Sequence, residues 1–107
     1  MEKLRSGLWR LNDAAGCTAY LVAGSDRAYM IDTGMGLAPL MPQIRAVTDL
    51  PVELLLTHAH PDHFAAVGEF EHVWLCKEDR EILAGSEPLC RRFGVPPLDP
   101  QRVRFFQ

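Results

Sequence analysis

The feature that most constrains this chain is a histidine-rich segment that directly follows an apolar run. Residues 54–63 read LLLTHAHPDH, so three of the four histidines in the chain lie within six positions, together with one aspartate. Divalent metals such as zinc favour imidazole nitrogen supplemented by carboxylate oxygen, which is the mixture of donors found here. The candidate metal ligands are His58, His60, Asp62 and His63.

The spacing of these residues suits convergence on one loop. Side chains two positions apart in an extended segment share a side, as His58 and His60 do, while Pro61 bends the chain and brings the later donors round. The helical zinc-protease motif H-E-x-x-H does not fit, because the histidines here are spaced as H-x-H-x-D-H and Pro61 is a poor residue inside a helix. The alternative is a polar loop with solvated histidines and an aspartate that caps the next helix.

The pattern H-x-H-x-D-H, placed after an apolar strand and a threonine, resembles the signature of the metallo-β-lactamase superfamily. A second match is the segment AYMIDTG at residues 28–34, which reads as a strand that ends in Asp-Thr-Gly. The resemblance implies that Asp32 supports the metal loop by orienting backbone or histidine groups. The alternative role for Asp32 is to shape the turn. One departure from the family pattern is Phe64-Ala65-Ala66, where relatives often carry two glycines.

The resemblance also implies a fold and a chemistry. We expect an α/β (α+β) architecture, the N-terminal half of an αββα sandwich, with a mixed β-sheet and flanking helices. His58 and His60 would hold a first metal, and Asp62 and His63 a second. The ions would be one or two zincs, with iron or manganese as alternatives, and a histidine at position 60 favours zinc. A metal-bound hydroxide, oriented by Asp62 as the catalytic residue, would attack an ester, thioester, amide or lactone.

The remaining ligands of such a site come from later in a complete domain, and none is found after His72. We therefore expect residues 1–107 to form a single partial domain, truncated at the C-terminus, with an incomplete site and no activity alone. The alternative is a non-catalytic half-domain that pairs with itself or another chain. The open sandwich face predicts a homo-oligomer, because monomers rarely expose large apolar patches. A dinucleotide-binding turn at residues 34–36 is disfavoured, since Pro39 occupies the position of the third glycine.

Composition sets limits on partners and location. The net charge of −3 and the sequence pI near 5.7 come without a basic run, which disfavours nucleic acid and anionic membranes and leaves a small-molecule substrate. No apolar stretch approaches the ~20 residues that a membrane span needs, and no signal-peptide core follows the first residues. Three widely spaced cysteines argue for reduced thiols rather than a disulfide framework. The expected location is cytoplasmic.

The hydrophobic pattern predicts a β-rich first half followed by alternating strands and helices. The segment after residue 84 is predicted to be loop until a last strand, because it contains four prolines. The predicted strands are residues 8–11, 18–23 paired with 27–32, 52–57 buried on both faces, 73–76 and 103–106. The predicted helices are residues 37–47, 64–70 and 77–84.

Overall fold

A mixed seven-stranded sheet organises the chain, and the computed structural model describes residues 1–106. The strands lie in sequence order across the sheet; β1 to β4 are antiparallel neighbours, and β4 to β7 run parallel. Their bounds are β1 Glu2–Arg5, β2 Leu8–Asn12, β3 Thr18–Ala23, β4 Ala28–Ile31, β5 Val52–Leu55, β6 Val73–Cys76 and β7 Val103–Phe106. The predicted hairpin between β3 and β4 is confirmed, and so is the mixed sheet with flanking helices.

Short helices lie in the connections between the parallel strands, because consecutive parallel strands need a crossover connection. The α-helices are α1 Met41–Arg45, α2 Pro61–Phe64, α3 Arg80–Ala84 and α4 Glu87–Phe93. Single turns of 3₁₀ helix span Val67–Glu69, Lys77–Asp79 and Pro100–Arg102. Within residues 1–106, no helix has both the length and the apolar character that crossing a membrane would take.

One face of the sheet is fully buried against the helices. Because side chains alternate across a strand, residues in register on neighbouring strands line the same face. A row of fully buried side chains crosses β3 to β6 in this way, namely Leu21, Met30, Leu54 and Val73. Ile44, Phe64, Leu83 and Cys90 from the helices complete this core.

The opposite face of the sheet, which we call the open face, remains accessible to solvent. Tyr20 and Val22 of β3 are 37% and 43% exposed, and Phe106 of β7 is 36% exposed. The half-buried side chains of Ile31, Leu55 and Trp74 lie between them in register. Aromatic and aliphatic side chains therefore cover much of this face, interrupted by Arg10, Glu53 and Arg104, which the strand register places on the same side.

The strand predicted at residues 52–57 is present, but it is shorter than predicted and one of its buried positions is charged. The strand β5 ends at Leu55, and it contains a charged residue, Glu53, on the open face. Glu53 is nevertheless only 8% exposed, because the Trp74 indole donates a hydrogen bond to it and the Arg27 guanidinium pairs with it at 3.0 Å. The Trp74 hydrogen bond is the main reason why the pKa of Glu53 lies below its ordinary value.

The loop predicted for residues 85–102 instead contains α4, the longest helix of the structure as described. Pro88 lies in its first turn, where the missing N–H would have no partner in any case. Gly94 ends the helix in the left-handed conformation with φ of 69°. The prolines that suggested a loop therefore mark where this helix begins and where the next segment starts.

Other boundaries also differ from the prediction. The helix predicted at residues 37–47 is shorter, since α1 begins only at Met41. The helix predicted at residues 64–70 begins earlier, at Pro61, and is interrupted before Val67–Glu69. The first strand, β1, lies outside the predicted strands. Its four residues are all exposed, and three of them are charged, so its sequence has no apolar run.

Candidate metal centre

The histidine-rich segment lies at the carboxyl end of β5, the edge where parallel sheets of α/β folds bind ligands. His58 and His60 lie in the loop after the strand, and Pro61 is the first residue of α2. Proline is favoured at that position because its fixed φ suits a helix start. Asp62 and His63 then follow within the first turn, so the helix turns their side chains back toward the loop.

The structure brings the four predicted ligands into one cluster. The ring centroids of His58 and His60 are 4.7 Å apart, and those of His58 and His63 are 3.9 Å apart. The Nε2 atom of His63 lies 3.6 Å from Oδ2 of Asp62. In tetrahedral zinc sites, ligand bonds of ~2.0–2.1 Å place two donors of one ion about 3.3–3.4 Å apart. The separation of this pair is therefore close to that of two ligands of a single ion.

Asp32 anchors the cluster from the end of β4. Its carboxylate, 4% exposed, accepts hydrogen bonds from the Thr57 N–H at 2.8 Å, from the Thr57 hydroxyl at 2.7 Å and from the His63 ring at 2.7 Å. Its backbone has a φ of 65°, unusual for a residue other than glycine. These contacts agree with the expectation that Asp32 orients backbone and histidine groups, and strain of this kind often accompanies a functional site.

The hydrogen bonds around Asp32 assign a tautomer to two histidines. The Nδ1–H of His63 donates to the carboxylate, so in the neutral ring the free lone pair is on Nε2. The single proton of the Thr57 hydroxyl is donated to Asp32, so the contact of 3.0 Å with Nδ1 of His58 requires the histidine to donate. In the neutral form of each ring, Nε2 is then the unprotonated nitrogen, through which imidazole binds a metal.

Thr33 fastens the loop to the end of the sheet. It is 1% exposed; its N–H donates to the carbonyl of His63 at 2.8 Å, and its hydroxyl accepts from the Ala66 N–H. Next to it, Gly36 lies against Ala65, since a Cβ on Gly36 would be 3.5 Å from the Cβ of Ala65. Ala65 is thus small enough for this approach.

Asp13, in the β2–β3 loop, is a positioning residue that the sequence analysis missed. Its carboxylate accepts from the N–H groups of Ala15, Cys17 and Met35 at 2.8–2.9 Å and so ties two loops together. Burial acts to raise the pKa of Asp13, but these donors outweigh it and the pKa lies below its ordinary value. Gly34 is required beside it, because a Cβ there would lie 2.4 Å from Oδ2 of Asp13.

An open groove of about 460 Å³ adjoins the cluster. Its polar side carries Cys17, His60 and Asp62. Burial, followed by the negative charges of Asp13 and Asp62, raises the pKa of the Cys17 thiol. The apolar lining consists of Ala15, Met35, Pro61, Leu89 and Phe93.

Other candidate donors lie elsewhere or remain apart. His72 immediately precedes β6, at the opposite edge of the parallel strands from the cluster. All three cysteines are free thiols, and Cys90 is buried in the core. Among residues 1–106, no group of three or more His, Cys, Asp or Glu side chains is arranged so that it could hold a metal ion.

Comparisons with the sequences of known proteins point to one family. The sequence model of the metallo-beta-lactamase superfamily matches residues 12–99. An acyl-coenzyme A thioesterase, MBLAC2 of Gallus gallus, is 31% identical over 115 residues, which cover 78% of this chain and 41% of that protein.

Solved structures give the same result for the fold. The B3 metallo-beta-lactamase BLEG-1 is 24% identical, with a TM-score of 0.60 over 87% of this chain and 49% of its own. The protein TTHA1623, described in a di-iron-bound form, is 26% identical, with a TM-score of 0.55 over 94% of this chain and 48% of its own. The chain thus spans less than half the length of each relative, and it belongs to the metallo-beta-lactamase superfamily.

Proposed function

We propose that this chain forms the N-terminal half of a metal-dependent hydrolase site that acts on an ester, thioester, amide or lactone. Residues 1–107 constitute, in this proposal, a single partial domain. The observation that carries the proposal is the hydrogen-bond network of Asp32. That network holds His63 with a free Nε2 close to the Asp62 carboxylate. A buried anionic residue that fixes the tautomer of a histidine is the usual support of a metal ligand.

The ligands divide into two pairs in this proposal. Asp62 and His63 hold one ion, because their donor atoms are 3.6 Å apart. His58 and His60 hold the other; their ring centroids are 4.7 Å apart, and His58 is half-buried while His60 is exposed. Zinc is the preferred metal, since three imidazoles and one carboxylate match its donor preference; iron and manganese are the alternatives.

A bound divalent ion supplies a Lewis acid that lowers the pKa of a water molecule and polarises a carbonyl. The residues of the chain perform the remaining tasks. The Asp62 side chain is 47% exposed and faces the groove, so its second oxygen can accept a hydrogen bond from the attacking water and orient it. Asp32 and Thr57 keep the His58 and His63 rings in place while the substrate enters.

A thioester is the substrate class favoured within this proposal. The relative MBLAC2 is named as an acyl-coenzyme A thioesterase, and it is the most informative functional comparison at 31% identity. The groove beside the cluster also combines a polar side with an apolar lining, as a substrate with an acyl chain would require. We place the reaction in the cytoplasm, where thiols such as the three free cysteines remain reduced.

Two protein ligands for each ion form an incomplete set, since a catalytic zinc normally has three protein ligands and an open position. We therefore propose that the chain as purified carries substoichiometric metal after dialysis. It should then hydrolyse generic esters and thioesters no faster than the His58→Ala, His60→Ala double variant. Elemental analysis and thiol-release assays on both proteins measure this.

The same assay at saturating zinc tests the hydrolase function itself. The wild-type chain should then release thiol faster than the double variant, because the variant keeps the ion at Asp62 and His63 but loses the ion at His58 and His60. Equal rates for the two proteins at saturating zinc would contradict the hydrolase proposal. Tightly held zinc with fast turnover as purified would instead show that a second chain supplies the missing ligands.

A second candidate function is a non-catalytic half-domain that associates with a second copy of itself. The open face favours it, because Tyr20, Val22 and Phe106 leave an exposed apolar surface across the sheet. In this proposal the open faces of two copies pack together. Light scattering at micromolar concentration should give the mass of a dimer, and the Val22→Lys variant should be monomeric. A monomeric wild type would contradict self-association.

A further inference from the structure

We propose that α4 supplies the hydrocarbon-binding wall of the candidate active site, formed by Leu89 and Phe93 together with Met35 across the groove. The ligand class is a linear or branched acyl chain, whose carbonyl end lies at His60 and Asp62. This inference rests on the proposed function for the identity of the carbonyl group, but it concerns a separate set of residues.

The first argument comes from the placement of α4. Leu89 and Phe93 are four residues apart and so lie on the same side of the helix. They are 38% and 54% exposed, whereas Cys90 on the other side is fully buried in the core. The helix is therefore held by its Cys90 side, and two large apolar side chains one turn apart remain exposed on its other side.

The second argument comes from what these two side chains face. They line the same groove as His60 and Asp62, so the apolar wall is continuous with the candidate metal centre. Met35 borders the groove as well, in the loop that Asp13 holds by its hydrogen bond to the Met35 N–H at 2.8 Å. Methionine is suited to this place because its flexible side chain adapts to chains of different shape.

The groove also has the size and polarity of a small-molecule site. Its volume of about 460 Å³ lies in the ordinary range for ligand pockets, roughly 300–1,000 Å³. The ionisable residues of the lining are Cys17, His60 and Asp62, and the other five lining residues are apolar. Glu87 and Arg91 of α4 pair with each other and do not line the groove. A ligand with one polar end and one hydrocarbon end is the class that fits this division.

The test uses acetate, hexanoate and decanoate as probes of the full chain with a chelator present, so that no metal contributes. Amide chemical shifts followed by NMR report both affinity and location. We expect affinity to rise with chain length by up to about fourfold for each buried methylene. The amides of Met35, Leu89 and Phe93 should move most.

The Leu89→Ser and Phe93→Ser variants should each weaken decanoate binding about four- to fifteenfold, as expected for the loss of one to two buried methylene equivalents. Both residues are exposed enough for the fold to survive the change. The control is Ile82→Ser on α3, a comparably exposed aliphatic residue that does not line this groove. It should bind decanoate like the wild type.

Affinity independent of chain length, shifts confined to the open face, or equal losses in Phe93→Ser and Ile82→Ser would each overturn the inference. A zinc titration of the same samples separates it from the proposed function. Zinc binding without decanoate binding would refute the hydrocarbon wall alone. Decanoate binding at α4 without zinc binding at the cluster would refute the metal site and leave the wall in place.

Discussion

The substitution Asp32→Asn isolates the part of the site on which the metal proposal most depends. Asparagine has nearly the same shape as aspartate and tolerates the left-handed backbone that position 32 adopts, with φ of 65°. The change therefore leaves the backbone and the packing in place. The substitution replaces one carboxylate oxygen with an NH2 group, which donates hydrogen bonds instead of accepting them.

The expected magnitude follows from the three hydrogen bonds to Asp32. The amide oxygen still accepts from the Thr57 N–H, but the amide nitrogen now meets the Nδ1–H of His63, which was a donor at 2.7 Å. His63 avoids this contact by moving its proton to Nε2, which removes the lone pair needed for a metal. Returning the proton from Nε2 to Nδ1 of His63, as metal binding requires, costs ~1–3 kcal/mol, which is the penalty of an unsatisfied buried donor. Zinc affinity should fall about 10–100-fold, the range for loss of such supporting contacts.

Isothermal titration with zinc measures this change, and urea unfolding shows that the variant is folded. The matched control is Asp49→Asn, which makes the same chemical change at an exposed position. It should bind zinc like the wild type. A folded Asp32→Asn variant with unchanged zinc affinity would refute the claim that Asp32 fixes His63 for metal binding.

Three further predictions concern stability. Gly34→Ala should cost ~1–3 kcal/mol from strain and a clash with Asp13, and adding Asp13→Ala should cost less than the sum of the two, in a urea-unfolding cycle. The pKa of Glu53 is lowered, chiefly by its hydrogen bond from Trp74, so its contribution is present above the unfolded pKa of about 4.3 and is lost as the pH falls through the folded value. Glu53→Gln should therefore flatten the loss of stability on acidification, whereas an unchanged pH profile would contradict the assignment. Phe64→Ala, at a fully buried position, should cost ~3–5 kcal/mol by the same method, and a cost below about 1 kcal/mol would contradict the packing described.

The sequence predicted the elements whose signals are local. The hairpin of β3 and β4 follows from two apolar runs around a turn, and the position of His58 to His63 after β5 follows from the leucines before it. Asp32 could be assigned to the site because Asp-Thr-Gly ends a strand in the same way as in the family. These features depend on neighbours in the chain, so a sequence contains them directly.

The features that the sequence did not reveal depend on contacts between distant residues. Asp13 binds the N–H of Met35, 22 positions away, and nothing in its own neighbourhood indicates this partner. Glu53 can be buried in a strand only because Trp74 and Arg27 reach it from other elements. The helix α4 was hidden by prolines, although Pro88 near its start and Gly94 at its end were signals of the two helix ends.

The central claim, that this loop binds a divalent metal through unprotonated Nε2 atoms, is tested most directly by NMR of the histidine ring nitrogens during a zinc titration. Without zinc, the spectrum should show protonated Nδ1 in His58 and His63, as their hydrogen bonds require. Zinc should then shift the Nε2 resonances of these two histidines and of His60, and leave His72 unchanged. The opposite tautomer in the apo protein, or zinc-induced shifts absent from the cluster or equal at His72, would contradict the account.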